Sequence, residues 1–309
     1  MSVNHLVSIA DLSDGDIDML LSRAHHFADT SPRRGDLGAT PSLCVQMLFY
    51  EDSTRTRTSF ESAAARLGYS TCLVTAAGSS VAKGESLRDT VVTLQASVDP
   101  AVLVLRHPEN GAPASVARAP WCETAVVNAG DGTHEHPTQA LLDALTLQRQ
   151  FGREGLAGRR IVIVGDIVRS RVARSNALLL PRLGMHVTLV APPEMLPNDV
   201  AAWGVASTSD LSCATAEADA VMMLRIQRER MSAATSLDTD AFHSAYAMTA
   251  ARAAQLRPDA VVMHPGPMNR GIEISDEVAD GSRSLIAQQV RNGVWMRMAV
   301  LEALAAGRA

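Results

Sequence analysis

Two arginines and three hydroxyl side chains stand together in Ser53-Thr54-Arg55-Thr56-Arg57, at one reversal of the chain. The preceding SLCVQMLFY reads as a buried strand. The residues that follow set Phe60, Ala63, Ala64 and Leu67 on one helical face, with Gly68 as a C-cap. The five residues therefore join a strand to a helix start. Backbone N–H groups are free at such a start, and the helix dipole is positive there. With Arg55 and Arg57 added, the fitting guest is a phosphate. A merely solvated helix start needs only a capping serine.

Other strings carry chemistry less decisively. His136-Pro137-Thr138-Gln139 opens a second helix. His136 is either a residue beside a cap or a donor to a carbonyl oxygen, with Gln139 as an amide contact. His134 and His136 form a His-x-His pair, but no third ligand stands at metal-binding spacing. Arg106 and His107 end an apolar run. Arg171 and Arg225 each follow an apolar run in the second half. Singly each reads as surface charge; together with Gln227 they can grip two carboxylates through paired hydrogen bonds. Arg228 and Arg230 read as helix-surface charges. His264-Pro265-Gly266-Pro267 is a rigid turn, and the same rigidity would present the carbonyls of Pro265 and Gly266 to a ligand N–H. Finally, of 28 basic side chains only Lys83 is a lysine, in GSSVAKGESLRDT. A compact ammonium on a flexible stem does what a planar guanidinium cannot.

The elements that must position these residues alternate. Residues 14–30 read as a helix, capped by Ser13, with Ile17, Leu20, Leu21, Ala24 and Phe27 on one face. AVLVLRH (101–107) and TAVVNAG (124–130) read as strands. PTQALLDALTLQRQFG is a helix entered through Pro137 and closed by Gly152. A glycine-rich GREGLAGRR marks a hinge. RIVIVGDI, HVTLVAP, DAVMMLRI and AVVMHPGP then read as buried strands separated by helical or polar stretches. Ser282 to Ala306 reads as a final helix. This alternation predicts an α/β protein with two similar-sized domains, each a parallel sheet flanked by helices. The polar strings follow strands, and ligands of open α/β sheets bind beyond the strands' carboxyl ends. A cleft between the domains is the expected site.

Composition excludes several classes. The 309 residues carry a net charge of −5, with no basic stripe for nucleic acid. No apolar run has transmembrane length, and the N-terminus lacks the features of a signal peptide. Cys44, Cys72, Cys122 and Cys213 are scattered, without zinc-finger spacing. A cytoplasmic protein with reduced thiols and no structural metal is expected.

Taken in order, FYEDSTRTRTSFE, SVAKGESLRDT, LRHP, GDGTHEHPTQALLD, VGDIVRSRVARS, RIQRER and HPGPMNRGIEI resemble the catalytic chains of the aspartate carbamoyltransferase family. The likeness spans residues 49–274. It implies a carbamoyl-phosphate-binding domain over 1–150, an aspartate-binding domain over 151–288, and a C-terminal helix, 289–309, packing back on the first domain. It implies a homotrimer with active sites shared between subunits. Phosphate contacts then fall on Ser53, Thr54, Arg55 and Thr56, with Arg106 nearby. The carbamoyl oxygen falls to Thr56, Arg106 and His136. The carbamoyl NH2 falls to Gln139 and the Pro265-Gly266-Pro267 turn. Aspartate carboxylates fall to Arg171, Arg225 and Gln227. Ser79 and Lys83 arrive from the neighbouring subunit, Lys83 toward aspartate. Arg55, Thr56, Lys83, Arg106 and His136 are the expected catalytic groups.

Position 82 is alanine where some members carry a second lysine, and Ser80 beside Ser79 competes for the same role. Some relatives bind regulatory chains or a dihydroorotase, and such a partner stays open here. The implied reaction joins two anions and needs no cofactor, metal or covalent enzyme nucleophile. A cluster of cations offsets the repulsion, and donors to the carbonyl oxygen act as an oxyanion hole. The proton acceptor is the leaving phosphate, His136 or water. Two other readings remain: a sister enzyme acting on ornithine, whose members share an HCLP-type motif where this chain has HPGP, and a silent anion-binding subunit.

Overall fold

The computed structural model describes residues 4–33, 36–37, 43–227 and 238–308. The chain divides into two compact units, residues 1–145 with 290–309 and residues 146–289. In the first, α1 (Asp14–Thr30) is followed by β1 (Cys44–Phe49), α2 (Thr54–Arg66), β2 (Ser70–Thr75), α3 (Leu87–Val98), β3 (Val102–His107), α4 (Ala112–Ala117), β4 (Ala125–Asp131) and α5 (Pro137–Phe151). The sheet is parallel throughout, in the order β2-β1-β3-β4. Leu6 extends it beyond β4, exchanging backbone hydrogen bonds with Val126 and Asn128 at 2.8 Å each. The Ser13 hydroxyl accepts from the Asp16 N–H while the Asp16 carboxylate accepts from the Ser13 N–H, a reciprocal cap. Ile17, Leu20, Leu21, Ala24 and Phe27 are buried, as their spacing predicts.

The second unit runs β5 (Arg160–Val164), α6 (Arg171–Leu179), β6 (His186–Val190), β7 (Ala206–Thr208), α7 (Leu211–Thr215), β8 (Ala220–Met223), α8 (Thr239–Tyr246), α9 (Ala250–Gln255), β9 (Val261–Met263) and α10 (Asp276–Ala279). Its sheet, β7-β6-β5-β8-β9, is also parallel. The central strands are apolar on both faces because helices cover both. Two edge strands, β2 and β7, go beyond the sequence reading. The last helix, α11 (Ile286–Ala305), starts four residues later than Ser282. It packs on the first unit: Arg23 of α1 grips Glu302 through two hydrogen bonds of 2.6 and 2.7 Å, and Arg66 of α2 lies 4.9 Å over the Trp295 ring.

Both sheets have a topological switch. After β1 the chain builds β2 on one side, then crosses to lay β3 on the other. After β5 it builds β6 and β7 on one side, then crosses to β8. Strand ends part at such points and open a crevice. The first lies at the carboxyl ends of β1 and β3, the second at those of β5 and β8.

Candidate active site

At the first switch point, Ser53 caps α2; its hydroxyl accepts from the Thr56 N–H at 3.3 Å. Thr54 and Arg55 are exposed in the first turn, and Thr56 is buried. Arg57, which the sequence offers with Arg55 as an anion ligand, is exposed too. Its Nε lies 3.0 Å from Glu61, one helical turn on, and α2's own surface neutralises it. Arg106 sits where the β3–β4 register shifts between Leu105 and His107. Such an irregularity re-aims a side chain. One guanidinium nitrogen donates to the Ala129 carbonyl at 3.2 Å, and the other lies 3.4 Å from Glu51. Glu51, just after β1, lies inside the FYEDSTRTRTSFE string but is not among the residues the sequence singles out. It holds Arg106 against the loop that carries Ser53.

The loop between β4 and α5 is built around a buried carboxylate. Asp131 accepts from Asn128 Nδ2 (2.8 Å), the Glu135 N–H (2.9 Å), the Gly111 N–H (2.6 Å) and His134 Nδ1 (3.0 Å). Burial raises its pKa, but these donors outweigh burial and hold it below the usual carboxylate range. Glu135 next to it accepts from the Ser8 hydroxyl (2.5 Å) and the Ile9 N–H (2.9 Å). Here burial prevails and pushes the carboxyl up. The network sets the turn that delivers His136, whose Nε2 lies 3.5 Å from the Thr56 hydroxyl. Both residues are buried, 80 positions apart in sequence. Gln139 donates from Nε2 to Asp143 at 2.9 Å. A carboxylate only accepts, so this bond fixes the amide and leaves Oε1 as an acceptor for a ligand N–H. His134 is engaged by Asp131. Among the described residues, no group of three or more His, Cys, Asp or Glu side chains is arranged to hold a metal ion.

Ser79 and Lys83 lie on a pair of short 3-10 turns, Ala76–Gly78 and Ser80–Lys83. The Ser79 hydroxyl accepts from the Val81 N–H at 3.4 Å, so it also serves its own loop. Lys83 is exposed.

At the second switch point, Gly165 has φ 133°, and a Cβ there would sit 2.7 Å from the Leu224 carbonyl oxygen. Only glycine lets the chain after β5 pass so close to the chain after β8. Asp166 follows, fully buried, and accepts from Arg169 at 3.0 Å and from the Gln227 N–H at 3.4 Å. Burial raises its pKa against the pull of Arg169. Gln227 donates through Nε2 to the Arg169 carbonyl at 2.9 Å. Arg171 opens α6 just after its cap Ser170, and Arg225 follows β8; both are half-buried. Arg228 and Arg230 lie outside the described residues. After β9, His264 leads into Pro265, Gly266 and Pro267; Gly266 has φ 67° and precedes a cis peptide bond. The structure thus brings Ser53, Thr56, Arg106, His136 and Gln139 to strand and helix ends of the first unit. It brings Arg171, Arg225, Gln227 and the Pro265–Pro267 turn to such ends of the second.

Two family descriptions match this chain. One, aspartate/ornithine carbamoyltransferase, carbamoyl-P binding domain, covers residues 4–149. The other, the Asp/Orn binding domain of the same enzymes, covers 157–304. The chain belongs to the aspartate/ornithine carbamoyltransferase family. Within it, the chain is 52% identical to an aspartate carbamoyltransferase catalytic subunit of Clavibacter michiganensis subsp. michiganensis, over 99% of this chain and 98% of that one. Its structure is similar to crystal structures of aspartate transcarbamoylase from Trypanosoma cruzi. One, in complex with carbamoyl phosphate and aspartate, matches with a TM-score of 0.83 at 34% identity, covering 96% of this chain and 95% of that one. Another, in complex with N-(phosphonacetyl)-L-aspartic acid, matches with a TM-score of 0.84 at 34% identity, covering 96% and 94%.

Proposed function

We propose that the protein transfers the carbamoyl group of carbamoyl phosphate to the amine of L-aspartate, giving N-carbamoyl-L-aspartate and phosphate. This is an early step of pyrimidine synthesis. The observation that carries the reading is the first switch point, where the Ser53-capped helix start, Arg106 and the Thr56–His136 contact gather at neighbouring strand ends. Ser53, Thr54, Arg55 and Thr56 hold the phosphate, with Arg106. Thr56, Arg106 and His136 meet the carbonyl oxygen as it gains charge. Gln139 Oε1 and the carbonyls of the Pro265-Gly266-Pro267 turn accept from the carbamoyl NH2. Arg171, Arg225 and Gln227 take the aspartate carboxylates, with Lys83. The amine nitrogen bonds to the carbamoyl carbon as the bond from that carbon to the phosphate oxygen breaks. The bonding pair leaves with phosphate, and the amine proton passes to that phosphate, to His136 or to water.

The protein works as a cytoplasmic homotrimer, in which Ser79 and Lys83 complete the neighbouring subunit's site. The support is the resemblance, together with the exposure of a lone lysine on a short turn. A turnover assay offering carbamoyl phosphate with L-aspartate or with ornithine tests the reading. Transfer to aspartate is expected to be faster by orders of magnitude; comparable rates would refute the arginine pair as a dicarboxylate site.

A further inference from the structure

We propose that Glu273 is a positioning residue that ties the Pro265-Gly266-Pro267 turn to the Arg225–Gln227 segment, so that the two are presented to substrate as one piece. The proposal rests on the reading above, in which the turn meets the carbamoyl group and the segment meets aspartate.

The side chains of Glu273 and His264 are both fully buried. The Gly266 N–H donates to His264 Nδ1 at 2.9 Å. A backbone N–H can only donate, so Nδ1 carries no proton; in the neutral ring the proton sits on Nε2. Nε2 lies 3.2 Å from Glu273 Oε1 and donates to it. The same oxygen accepts from the Asn269 N–H at 2.5 Å. Asn269 Nδ2 then donates to the carbonyl of Ile226, between Arg225 and Gln227, at 3.1 Å. Glu273 is itself fixed, since its carbonyl accepts from the Met248 N–H at 2.9 Å. One carboxylate oxygen therefore holds both the ring that shapes the turn and the backbone of the residue that reaches the arginine segment. A buried carboxylate is an expensive way to fill space, and an apolar side chain of like volume would fill it as well. What the carboxylate adds is direction: donors from two segments must point at one atom.

The test compares four variants by steady-state kinetics in both substrates, with thermal melts alongside. Glu273→Gln keeps an oxygen acceptor. Glu273→Ala removes it. His264→Asn keeps an acceptor near the Nδ1 position and loses the Nε2 donor. Asn269→Ala cuts the link to Ile226. One positioned hydrogen bond corresponds to about a tenfold effect. Asn269→Ala is expected to raise KM for aspartate about tenfold and His264→Asn that for carbamoyl phosphate, each leaving the other substrate nearly unchanged. Glu273→Ala should raise both and lower kcat/KM about 100-fold, while Glu273→Gln stays close to wild type. If Glu273→Ala lowers the melting temperature alone, or moves only one KM, the coupling is refuted. If it does not fold, Asn269→Ala decides, and an unchanged KM for aspartate overturns the proposal. Wild-type turnover is measured first. Its absence would refute the carbamoyl-transfer reading and this proposal with it, whereas active wild type with unaffected variants would refute this proposal alone.

Discussion

The Arg297 guanidinium, on α11, donates to the Ser59 hydroxyl of α2 at 2.8 Å. It also lies 5.0 Å from the Phe60 ring centroid and reaches the Thr138 hydroxyl of α5 at 3.5 Å. Burial pushes its pKa down to about 10, against the opposing charge of Asp143. A buried cation of the last helix thus joins the two helices whose first turns carry Ser53–Thr56 and Thr138–Gln139. Arg297→Met would leave Asp143 buried without that charge. A loss on the order of 3–5 kcal/mol in urea unfolding is expected. Arg297→Lys keeps the charge and should lose less. A methionine variant as stable as wild type would show that Arg297 merely fills space.

Helices α1 and α2 and the central strands are legible in the sequence because local residues fix each of them, whereas α3, though capped by Ser86, is not read there. Ser13 and Asp16 cap one another, and Val102 to Leu105 are apolar throughout. The edge strand β2 is not legible. It opens on exposed Ser70 and Thr71 and is nowhere fully buried, so it lacks the apolar run that marks β1 and β3. At three residues, β7 is too short to show a period. Arg57 shows a different limit. It matches Arg55 in type, yet Glu61 one turn later engages it. Glu51, Asp131 and Glu273 sit inside the family-like strings and Arg297 outside them, but none is singled out there, because their meaning lies in partners brought by the fold. Ser59 and Arg297 are 238 positions apart. Thr56 and His136 are legible as residue types, but their contact is visible only once β1, β3 and β4 lie side by side.

Gly165→Ala is expected to be costly. Its φ of 133° is strained for any L side chain, and the added Cβ would press on the Leu224 backbone. A loss of at least about 1–3 kcal/mol follows from the backbone alone. Gly204→Ala is the control, since Gly204 has φ 71° but open space around it. Urea midpoints should rank wild type, Gly204→Ala, Gly165→Ala in falling order. Equal losses in the two variants would mean that the close approach to Leu224 does not matter.

Asp131 and Glu135 should give the first unit opposite pH responses. The Asp131 pKa is depressed in the folded state. Its contribution is present above the ordinary value near 4 and is lost as pH falls through the lower folded value. The Glu135 pKa is raised. The folded protein then binds more protons than the unfolded one above pH ~4.5, and stability falls as pH rises through the raised value. Melting temperatures between pH 3 and 8 should therefore show Glu135→Gln flattening the decline above pH ~4.5. Asp131→Asn should weaken the acid-side dependence and lower stability at neutral pH. A Glu135→Gln profile parallel to wild type above pH ~5 would contradict the raised carboxyl.

Mixed oligomers test whether each active site is built from two chains. Arg55 lies in the first turn of α2, behind its cap Ser53, and Lys83 lies exposed on its own turn. One chain type carries Lys83→Ala and the other Arg55→Ala. In each homotrimer every site lacks one essential group, and both should be nearly inactive. In a cyclic mixed trimer, one of three interfaces joins a chain with intact Arg55 to a neighbour with intact Lys83. Random assembly from equal amounts makes three quarters of the trimers mixed, so about one quarter of wild-type activity should return. The chains are co-expressed with separable tags, the mixed species isolated, and its stoichiometry measured before assay. Mixed trimers no more active than their parents would place Lys83 in its own chain's chemistry or in none. A mixture that never forms trimers would refute the oligomer itself. Recovery near one quarter in the unfractionated mixture, or about one third in the isolated mixed species, would require the neighbour's lysine, because no single chain in the mixture holds both groups.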